Sequence, residues 1–431
     1  MDREALIRRL EQVVGPQGVI SERNQLRTYE CDGLANFRVI PSVVVLPETA
    51  DQVQGAVRAC WEAGVPFVAR GSGTGLSGGA LPVSDGVLIV LARMRRVHEV
   101  DLDNQRAVVE PGVLNLQVTK EVAGDGFYYT PDPPGYDLLG AFVGSEGTLG
   151  ITTTITLRLL RKPEAVRTLL AAFEGTDHAG DAVSKIIGAG IVPAAIEMMD
   201  ALAMEAAEAA VHVHYPEGAG AVLVVELDGP EAEVAHQFDE VERLCREAGS
   251  TTIQIAEDDD QRALFWKGRK SAFAAVGRIS PDYYVQDGVI PRTALPEVLR
   301  RITELADERG LRVANVFHAG DGNLHPLVLY DGEVEGQEQR AEELAAEILL
   351  TCLEHGGSIT GEHGVGFDKK QYLPKQFSAE DLDTMQLVRC AFDPDGRSNP
   401  GKVFPTPRLC GERPGPRRVH PAEQAGLAEV F

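Results

Sequence analysis

The sequence predicts an α+β protein with more than one domain, and its second half predicts a ferredoxin-like layer. The chain has 431 residues, more than one ordinary hydrophobic core accommodates. Residues 169–173 have the pattern of a strand, and residues 178–188 have that of a helix. The same order of strand, turn, helix and glycine returns at residues 222–227 and 231–249. Two such units are typical of a split βαβ layer, in which helices cover one face of an antiparallel sheet.

A different series of short elements fills the chain before residue 163. Apolar residues at helical spacing predict a helix at residues 4–14, and a valine-rich segment predicts a strand at residues 42–46. Thr49 and Gln52 have the pattern of a capping box, which predicts a helix that ends at Gly64. Further strands are predicted at residues 66–69, 87–91, 97–101, 107–110 and 151–159.

The charge of the chain excludes two classes of function. Lys and Arg total 41 against 65 Asp and Glu, so the formal net charge is −24. Nucleic-acid binders and proteins held on anionic membranes need a basic face, so we expect neither a nucleic-acid partner nor adsorption to lipid. An anionic substrate would need particular cations to attract it against this overall field.

The composition also predicts a cytoplasmic protein. The first ten residues have no apolar core of the signal-peptide kind, and no stretch approaches the roughly 20 apolar residues that span a membrane. The six cysteines are scattered without a Cys-x-x-Cys pair, which is typical of reduced thiols.

A glycine-rich loop at residues 70–79 is the strongest local motif. Its sequence is Arg-Gly-Ser-Gly-Thr-Gly-Leu-Ser-Gly-Gly. Glycines let backbone N–H groups turn toward a phosphate, and hydroxyl groups add donors. The loop also matches the Rossmann fingerprint and the nucleophile-elbow pattern, but each requires a following helix, and Pro82 leads into another strand. A plain flexible loop is the alternative, and the density of glycine and hydroxyl residues favours a phosphate site.

A second glycine cluster has the sequence Gly-Ser-Glu-Gly-Thr-Leu-Gly at residues 144–150. It follows an apolar segment and precedes a predicted strand. Alone it would be interpreted as a tight turn. Together with the first loop, it is a candidate second wall of a cofactor site.

Three histidines and a glutamate gather in two short segments of the second half. Residues 316–326 have the pattern of a strand, an Asp-Gly turn and a strand, so we expect His318 and His325 to face each other. Glu362 and His363 lie between glycines further along the chain. Two histidines and a glutamate form a common ligand set for a divalent metal with an open position, which leaves His363 for proton transfer. Surface or packing histidines are the alternative.

Cations lie next to aromatic residues at residues 264–270, Leu-Phe-Trp-Lys-Gly-Arg-Lys. An arginine side chain holds a carboxylate in bidentate geometry, so Arg269 is a candidate anchor for an anionic substrate. A solvated helix face is the alternative interpretation of this run.

Three segments of the first half resemble one group of flavoproteins. They are the loop that begins at Arg70, the cluster at residues 144–151, and residues 41–53, Pro-Ser-Val-Val-Val-Leu-Pro-Glu-Thr-Ala-Asp-Gln-Val. Together they resemble the FAD-binding domain of the vanillyl-alcohol-oxidase (PCMH-type) flavoproteins. Within that group the chain, from about residue 40 to Pro405, is most similar to the FAD-linked subunit of glycolate oxidase and to D-lactate dehydrogenases. The resemblance implies a two-part PCMH-type FAD-binding domain closed by the ferredoxin-like α+β cap.

The resemblance implies that residues 70–77 wrap the FAD pyrophosphate and that residues 144–151 contact FAD from the other side. Members that bind FAD covalently often carry histidine in the first loop, and since this loop has none, we expect non-covalent FAD. The segment Asn399-Pro-Gly-Lys is similar to a closing segment that returns to the flavin. The expected FAD-binding residues are Arg70, Gly71, Ser72, Gly73, Thr74, Gly75, Leu76, Ser77, Gly144, Ser145, Glu146, Gly147, Thr148, Gly150, Ile151 and Asn399.

The resemblance also implies oxidation of a small D-2-hydroxy acid, of the glycolate or D-lactate type, to the 2-oxo acid. It implies that Arg269 holds the substrate carboxylate and that His363 accepts the hydroxyl proton. Val285 stands where relatives that oxidise dicarboxylates have lysine, which favours a monocarboxylate substrate. The expected ligands of a divalent metal, for which we expect zinc, are His318, His325 and Glu362.

The same resemblance divides the chain and predicts its partners. Relatives often work with an iron–sulfur partner, so an iron–sulfur or second flavin subunit is the expected electron acceptor. Such a partner would place this cytoplasmic chain at the periphery of a membrane. The expected parts are an N-terminal helical segment (1–40), the FAD-binding domain (41–162), the cap (163–395), a segment returning to the flavin (396–406) and a disordered tail (407–431).

One part of the family pattern is missing after Pro133. In the family, Tyr-x-Pro-Asp-Pro is followed by several dozen residues, which include a Gly-Gly-Asn stretch that lines FAD and two strands. Here the Pro-Gly-Tyr-Asp-Leu-Leu segment that starts at Pro134 follows almost directly. Because the missing loop would carry backbone donors, two interpretations stay open. The chain is an FAD-dependent enzyme with a shortened domain, or a flavin-free, non-catalytic partner in an oxidase complex. A Rossmann NAD dehydrogenase is a distant third.

Overall fold

The computed structural model describes residues 3–130 and 138–405. Within these residues the strands form three sheets, two in the first half of the chain and a larger one in the second. Helices cover the sheets, and the predicted α+β class is confirmed. The predicted tail at 407–431 and the junction between Pro133 and Pro134 lie outside the described residues.

The first layer lies beneath the glycine-rich loop. It consists of β1 (Val19–Ile20), β2 (Val43–Val45), β3 (Phe67–Arg70), β4 (Val87–Val90), α1 (Arg3–Val14), α2 (Arg23–Leu26) and α3 (Ala50–Ala63). The strand order is β1-β2-β4-β3, and β2, β4 and β3 are parallel. Every residue of β2 and β4 is buried, as expected for parallel strands covered on both faces. The helix α3 begins as predicted, since Thr49 accepts a hydrogen bond from the N–H of Gln52.

A second, antiparallel sheet follows in the chain. It contains β5 (Val97–Asp101), β6 (Arg106–Val109), β7 (Phe127–Thr130) and β8 (Ile155–Arg161), with the helices α4 (Asn115–Val122) and α5 (Leu138–Val143). The strand order is β5-β6-β8-β7. The strand predicted at 151–159 starts four residues later, at Ile155. The reason is that Ile151 packs against the core of the first layer, so the chain crosses between the layers before it pairs.

The cap begins with two interleaved βαβ units. They comprise β9 (Ala165–Phe173), α6 (Thr176–Gly188), β10 (Ala195–Asp200), α7 (Ala201–Val211), β11 (Ala221–Gly229), α8 (Glu231–Glu247) and β12 (Thr252–Ile255). The strand order β12-β9-β11-β10 with antiparallel neighbours is the predicted ferredoxin-like arrangement. Helices cover both faces of this sheet rather than one. Leu169 and Phe173 pack toward α6 and α8, while Leu170 packs toward α7 and the next helix.

Five further strands extend this sheet and carry the histidines. The added elements are α9 (Asp259–Val276), β13 (Asp282–Val285), β14 (Gly288–Val289), α10 (Leu295–Arg309), β15 (Arg312–His318), β16 (Asn323–Leu324), β17 (Pro326–Tyr330) and α11 (Gln337–Glu354). The strand β15 pairs with β10, which joins the extension to the ferredoxin-like unit. The predicted hairpin is present, with His318 opposite Asn323 and Gly322 at a φ of 73° in the turn.

The last described residues return to the first layer. After α12 (Leu373–Gln376) and α13 (Ala379–Phe392), the N–H of Asn399 donates to the carbonyl of Phe67, at 2.8 Å. The Lys402 Nζ donates to the carbonyl of Leu81, at 2.8 Å. The C-terminal segment therefore lies beside the glycine-rich loop, and it brings the cap and the first layer together.

The helices and the cysteines of the structure test two predictions made from composition. No helix of residues 3–130 and 138–405 is long and apolar enough to cross a membrane. Cys31, Cys60, Cys245 and Cys352 are free thiols, but Cys390 is disulfide-bonded, so the prediction of reduced thiols is wrong at Cys390.

Candidate functional site

The three predicted metal ligands meet at the end of the β15–β17 hairpin. The rings of His318 and His325 have centroids 5.2 Å apart. The Oε1 atom of Glu362 lies 3.5 Å from His318 Nε2 and 3.3 Å from His325 Nε2. One ligand atom from each residue lies within 4.8 Å of the others. Glu362 lies 37 positions beyond His325 in the chain, so only the fold of the cap brings it to the two histidines.

We call the three predicted ligands, His318, His325 and Glu362, the metal cluster, and their arrangement fits one divalent ion. His325 is 2% exposed, yet neither of its ring nitrogens has a hydrogen-bond partner among residues 3–130 and 138–405. Buried nitrogens without partners are costly, and a metal ion bound at Nε2 would satisfy one of them. Metal–ligand bonds of about 2.0–2.2 Å at tetrahedral angles separate neighbouring donor atoms by about 3.3–3.6 Å. The two distances to the Glu362 carboxylate have that spacing.

A buried glutamate that the sequence did not identify joins the metal cluster to the predicted substrate anchor. Glu197 lies on β10, and its Oε1 accepts a hydrogen bond from His318 Nδ1 at 2.8 Å. Its Oε2 accepts from Arg269 Nε at 2.9 Å. Burial opposes ionisation of Glu197, but these partners outweigh it and hold the pKa of the carboxyl below its usual value. The one carboxylate in the apolar run Ala-Ile-Glu-Met-Met is the signal that could have identified it.

Arg269, the predicted substrate anchor, is joined to this group of residues through Glu197. It lies on the buried face of α9, and its guanidinium carbon is 5.8 Å from the centroid of the Phe273 ring. Its Nε donates a hydrogen bond to Glu197, whereas its two η nitrogens have no hydrogen-bond partner in the described part of the chain. Those two donors are available to a carboxylate. Trp266, from the same aromatic and basic run, has a different partner: its Nε1 donates a hydrogen bond to the Glu226 carboxylate at 2.7 Å.

His363 lies directly against the metal cluster. Its ring stacks on that of His325, with centroids 4.8 Å apart and planes 3° apart. Its Nε2 lies 3.7 Å from Oε1 of Glu362. Burial lowers the pKa of His363 to about 4, so the imidazole is neutral at neutral pH, which is the form that accepts a proton.

A second buried carboxylate, also missed in the sequence, shapes the loop that carries Glu362 and His363. Asp287 has no exposed surface, and its Oδ2 accepts hydrogen bonds from the N–H of Gly361 at 3.1 Å and of His363 at 2.9 Å. Its Oδ1 accepts from the N–H of Glu362, at 3.2 Å. It also pairs with the buried Lys369 at 3.1 Å. We call residues 360–366 the Glu362 loop.

The Glu362 loop is also tied to the first half of the chain. The Glu146 carboxylate accepts hydrogen bonds from the N–H groups of Val365 at 2.6 Å and Gly366 at 2.7 Å. The carbonyl of Ser77, in the glycine-rich loop, accepts from the N–H of Phe367 at 2.9 Å. Hydrogen bonds thus join the segment that carries Glu362 to both predicted cofactor loops.

The glycine-rich loop has the features of an anion cradle. The N–H groups of residues 72–76 donate no hydrogen bond within the described residues. Ser72, Thr74 and Gly75 are exposed. The hydroxyl of Ser77 is buried and has no hydrogen-bond partner in the part of the chain that the structure describes. A Cβ atom placed on Gly75 would meet open space. Free donors around open space fit a phosphate group, and these residues therefore fit FAD.

The other predicted cofactor residues lie close by, and some have protein partners. The side-chain amide of Asn399 donates to the carbonyls of Gly79 at 2.8 Å and Glu146 at 2.6 Å, which joins the two glycine loops. Gly147 has a φ of 75°, in the region that favours glycine. Arg70 is the last residue of β3 and donates through Nη1 to the carbonyl of Tyr29. The remaining members of the second cluster, Gly144, Ser145, Thr148, Gly150 and Ile151, follow α5.

A cavity of about 310 Å³ opens beside the metal cluster. Its size suits a small molecule. It is lined by Val289, His318, Asp321, Asn323, Gly361 and Glu362.

Comparison with known families assigns this arrangement to a class. Residues 41–152 match the family described as "FAD binding domain", and residues 162–403 match "FAD linked oxidases, C-terminal domain". The chain belongs to the FAD-linked oxidases, which are FAD-dependent oxidoreductases. The resemblance stated from the motifs is confirmed.

Curated relatives agree with this assignment over almost the whole chain. The chain is 43% identical to "Glycolate oxidase subunit GlcD" of Escherichia coli (strain K12), over 97% of this chain and 95% of the relative. It is 32% identical to the protein of that name from Bacillus subtilis (strain 168), over 92% and 96%. It is 28% identical to "D-lactate dehydrogenase [cytochrome], mitochondrial" of Arabidopsis thaliana, over 86% and 74%. The Escherichia coli alignment has 473 positions, more than this chain's 431 residues, so that relative contains residues that this chain lacks.

Solved structures share the fold at much lower identity. p-Cresol methylhydroxylase superposes with a TM-score of 0.74 at 16% identity, over 93% of this chain and 96% of that one. 4-Ethylphenol oxidase from Gulosibacter chungangensis superposes with a TM-score of 0.72 at 18% identity, over 93% and 97%. These likenesses support the fold of the chain.

Proposed function

We propose that the chain oxidises a small D-2-hydroxy acid, of the glycolate or D-lactate type, to the 2-oxo acid. The observation that carries the proposal is the continuous set of contacts from Arg269 through Glu197 and His318 to Glu362 and His363. One end of this set presents free guanidinium donors, and the other presents a neutral imidazole. A 2-hydroxy acid needs both, one for its carboxylate and one for its hydroxyl proton.

The chain's own groups would act as follows. The two η nitrogens of Arg269 bind the substrate carboxylate, while Glu197 holds the Nε of the same guanidinium. His363 accepts the hydroxyl proton on Nε2, the ring nitrogen that faces Glu362. Its backbone N–H is held by Asp287, which fixes where that base lies.

Two groups that the chain would bind supply the remaining chemistry. A divalent ion, with zinc as our proposal, would be held by His318, His325 and Glu362 and would polarise the 2-hydroxyl as a Lewis acid. FAD, held non-covalently between the two glycine loops, supplies the two-electron acceptor for the substrate hydride.

The local charges favour a monocarboxylate. The cation Lys369 is already paired with Asp287, and Val285 on β13 is apolar and buried. Neither of these positions therefore offers a free cation to a second substrate carboxylate. Glycolate and D-lactate have only one carboxylate.

The relatives suggest where this activity takes place. Two relatives are described as subunits of glycolate oxidase, which supports a partner subunit for this chain. Our proposal is that the chain is cytoplasmic and that this partner is an iron–sulfur or second flavin subunit that accepts the electrons. Such a subunit would also hold the chain at a membrane periphery.

Replacing His363 with Asn tests the assignment of the base. We expect the His363→Asn variant to retain FAD and to lose at least about a hundredfold in kcat with D-lactate or glycolate, because general-base catalysis contributes about 10²–10⁴-fold. The matched control is His355→Asn, since His355 lies at the end of α11 and bonds to the Thr351 carbonyl. Near-normal turnover by the His363 variant would reject this role.

A second function remains a candidate because the Escherichia coli relative contains residues that this chain lacks. If those residues are needed to hold FAD, the chain would be a flavin-free, non-catalytic member of an oxidase complex. A folded protein that never retains FAD would favour this alternative.

A further inference from the structure

Glu197 contacts both a proposed metal ligand, His318, and the proposed substrate anchor, Arg269. It is buried on β10, between the strand that carries His318 and the helix that carries Arg269. Each of its two carboxylate oxygens accepts one hydrogen bond, from His318 Nδ1 at 2.8 Å and from Arg269 Nε at 2.9 Å. A single side chain therefore orients two groups that would contact different parts of the substrate.

The tautomer of His318 follows from this contact. An ionised carboxylate only accepts, so the His318 proton must lie on Nδ1. In the neutral imidazole the lone pair is then on Nε2, the atom that lies 3.5 Å from Glu362 Oε1. A hydrogen-bonded partner on the other ring nitrogen commonly fixes a metal-binding histidine in this way.

The same carboxylate fixes the direction of Arg269. Since Nε is held by Glu197, the plane of the guanidinium is set and both η nitrogens remain free. We propose that Glu197 is a positioning residue, which orients His318 for metal binding and Arg269 for the substrate carboxylate through one carboxylate. This inference rests on the proposed function and deepens it.

Glutamine at this position satisfies only one of the two donors. Its amide has one oxygen and one NH₂ group. If the oxygen faces Arg269, the NH₂ group faces His318 Nδ1 and moves the ring proton to Nε2. If the oxygen faces His318, the NH₂ group opposes the N–H of Arg269. Either orientation loses one of the two functions.

The chain contains a matched control on the neighbouring strand. Glu226, on β11, also anchors α9, because it accepts hydrogen bonds from Arg262 and Trp266. It is buried like Glu197, but it contacts neither His318 nor Arg269. A Glu226→Gln variant therefore loses anchoring of the same helix without touching the proposed site.

The test is a zinc titration of the purified full chain, with bound FAD measured in parallel. We expect Glu197→Gln to weaken zinc binding by about 10–100-fold, as loss of such partners does, and to raise the KM for D-lactate. Glu226→Gln should leave both values unchanged. Glu197→Asp keeps the charge, but its side chain is too short to reach both donors. It should therefore also weaken zinc binding or raise the KM for D-lactate. This variant decides the matter if the glutamine variant does not fold.

The outcomes separate this inference from the proposed function. Unchanged zinc affinity in Glu197→Gln, or the same loss in Glu226→Gln, would overturn the positioning role and leave Glu197 as a structural residue. A wild-type chain that binds no zinc would overturn it as well. A wild-type chain that binds zinc but does not oxidise D-lactate or glycolate would contradict only the proposed function, because the titration contains no hydroxy acid.

Discussion

The buried ion pair between Asp287 and Lys369 offers the most direct physical test of how the Glu362 loop is held. Both side chains are almost completely shielded from water, and their charged atoms lie 3.1 Å apart. An Asp287→Asn variant removes the charge opposite Lys369, and its amide oxygen can still accept from the N–H groups of Gly361 and His363. Its NH₂ group then faces the N–H of Glu362, so one hydrogen bond of the loop is lost together with the charge.

The magnitude follows from the cost of an unpaired buried charge. Breaking a buried pair at one partner costs about 3–5 kcal/mol in the free energy of unfolding. For a cooperative unit of the size of the cap, this lowers the melting temperature by about 6–20 °C. In the double variant Asp287→Asn, Lys369→Met, neither charge of the pair is left. We expect it to recover much of the loss that comes from the unpaired Lys369 charge, because uncharged side chains at both positions leave neither partner as an unpaired buried charge.

Scanning calorimetry of the wild type, the single variants Asp287→Asn and Lys369→Met, and the double variant measures this cycle. The control is the half-exposed pair of Asp181 and Lys185 on α6, whose removal should change the free energy of unfolding by no more than about 1 kcal/mol. A single variant that melts like this control, or a double variant that is no more stable than the single one, would refute the reasoning.

Two further predictions concern the cofactor loop and pH. A Cβ atom on Gly366, which has a φ of 55°, would lie 2.0 Å from the carbonyl oxygen of Ser77, so Gly366→Ala should displace the glycine-rich loop and weaken FAD binding; an unchanged FAD dissociation constant in a fluorescence titration would count against this contact. Burial opposes ionisation of Glu226, but hydrogen bonds from Arg262 and its neighbours hold its pKa below the usual 4.5. A depressed pKa stabilises the fold above that value, so urea unfolding should show Glu226→Gln less stable at pH 7, with the difference shrinking below pH 4.5; a constant difference would contradict the assignment.

The sequence predicted the elements whose signals are local. Apolar runs and glycine boundaries identified the strands and helices of the ferredoxin-like unit, and an Asp-Gly turn identified the hairpin of His318 and His325. The resemblance to a family added the roles of the residues, which periodicity does not provide. The structure brings the proposed ligands together, and their roles remain predictions.

The sequence did not predict the residues that act through distant partners. Glu197 lies 72 positions from Arg269 and 121 from His318, so only the pairing of β10 with β15 brings them together. Asp287 is likewise 82 positions from Lys369. The prediction that helices cover only one face of the cap sheet was wrong. The helices α7 and α9 cover the other face and bury the alternate residues of β9, such as Leu170.

The flavin spectrum of the purified chain tests the central claim most directly. The protein is incubated with FAD, passed through a gel-filtration column and mixed with D-lactate or glycolate without oxygen. The account predicts that the flavin absorption band stays with the protein and bleaches when the hydroxy acid is added. A folded protein that never retains flavin, or a retained flavin that neither acid bleaches, would contradict it.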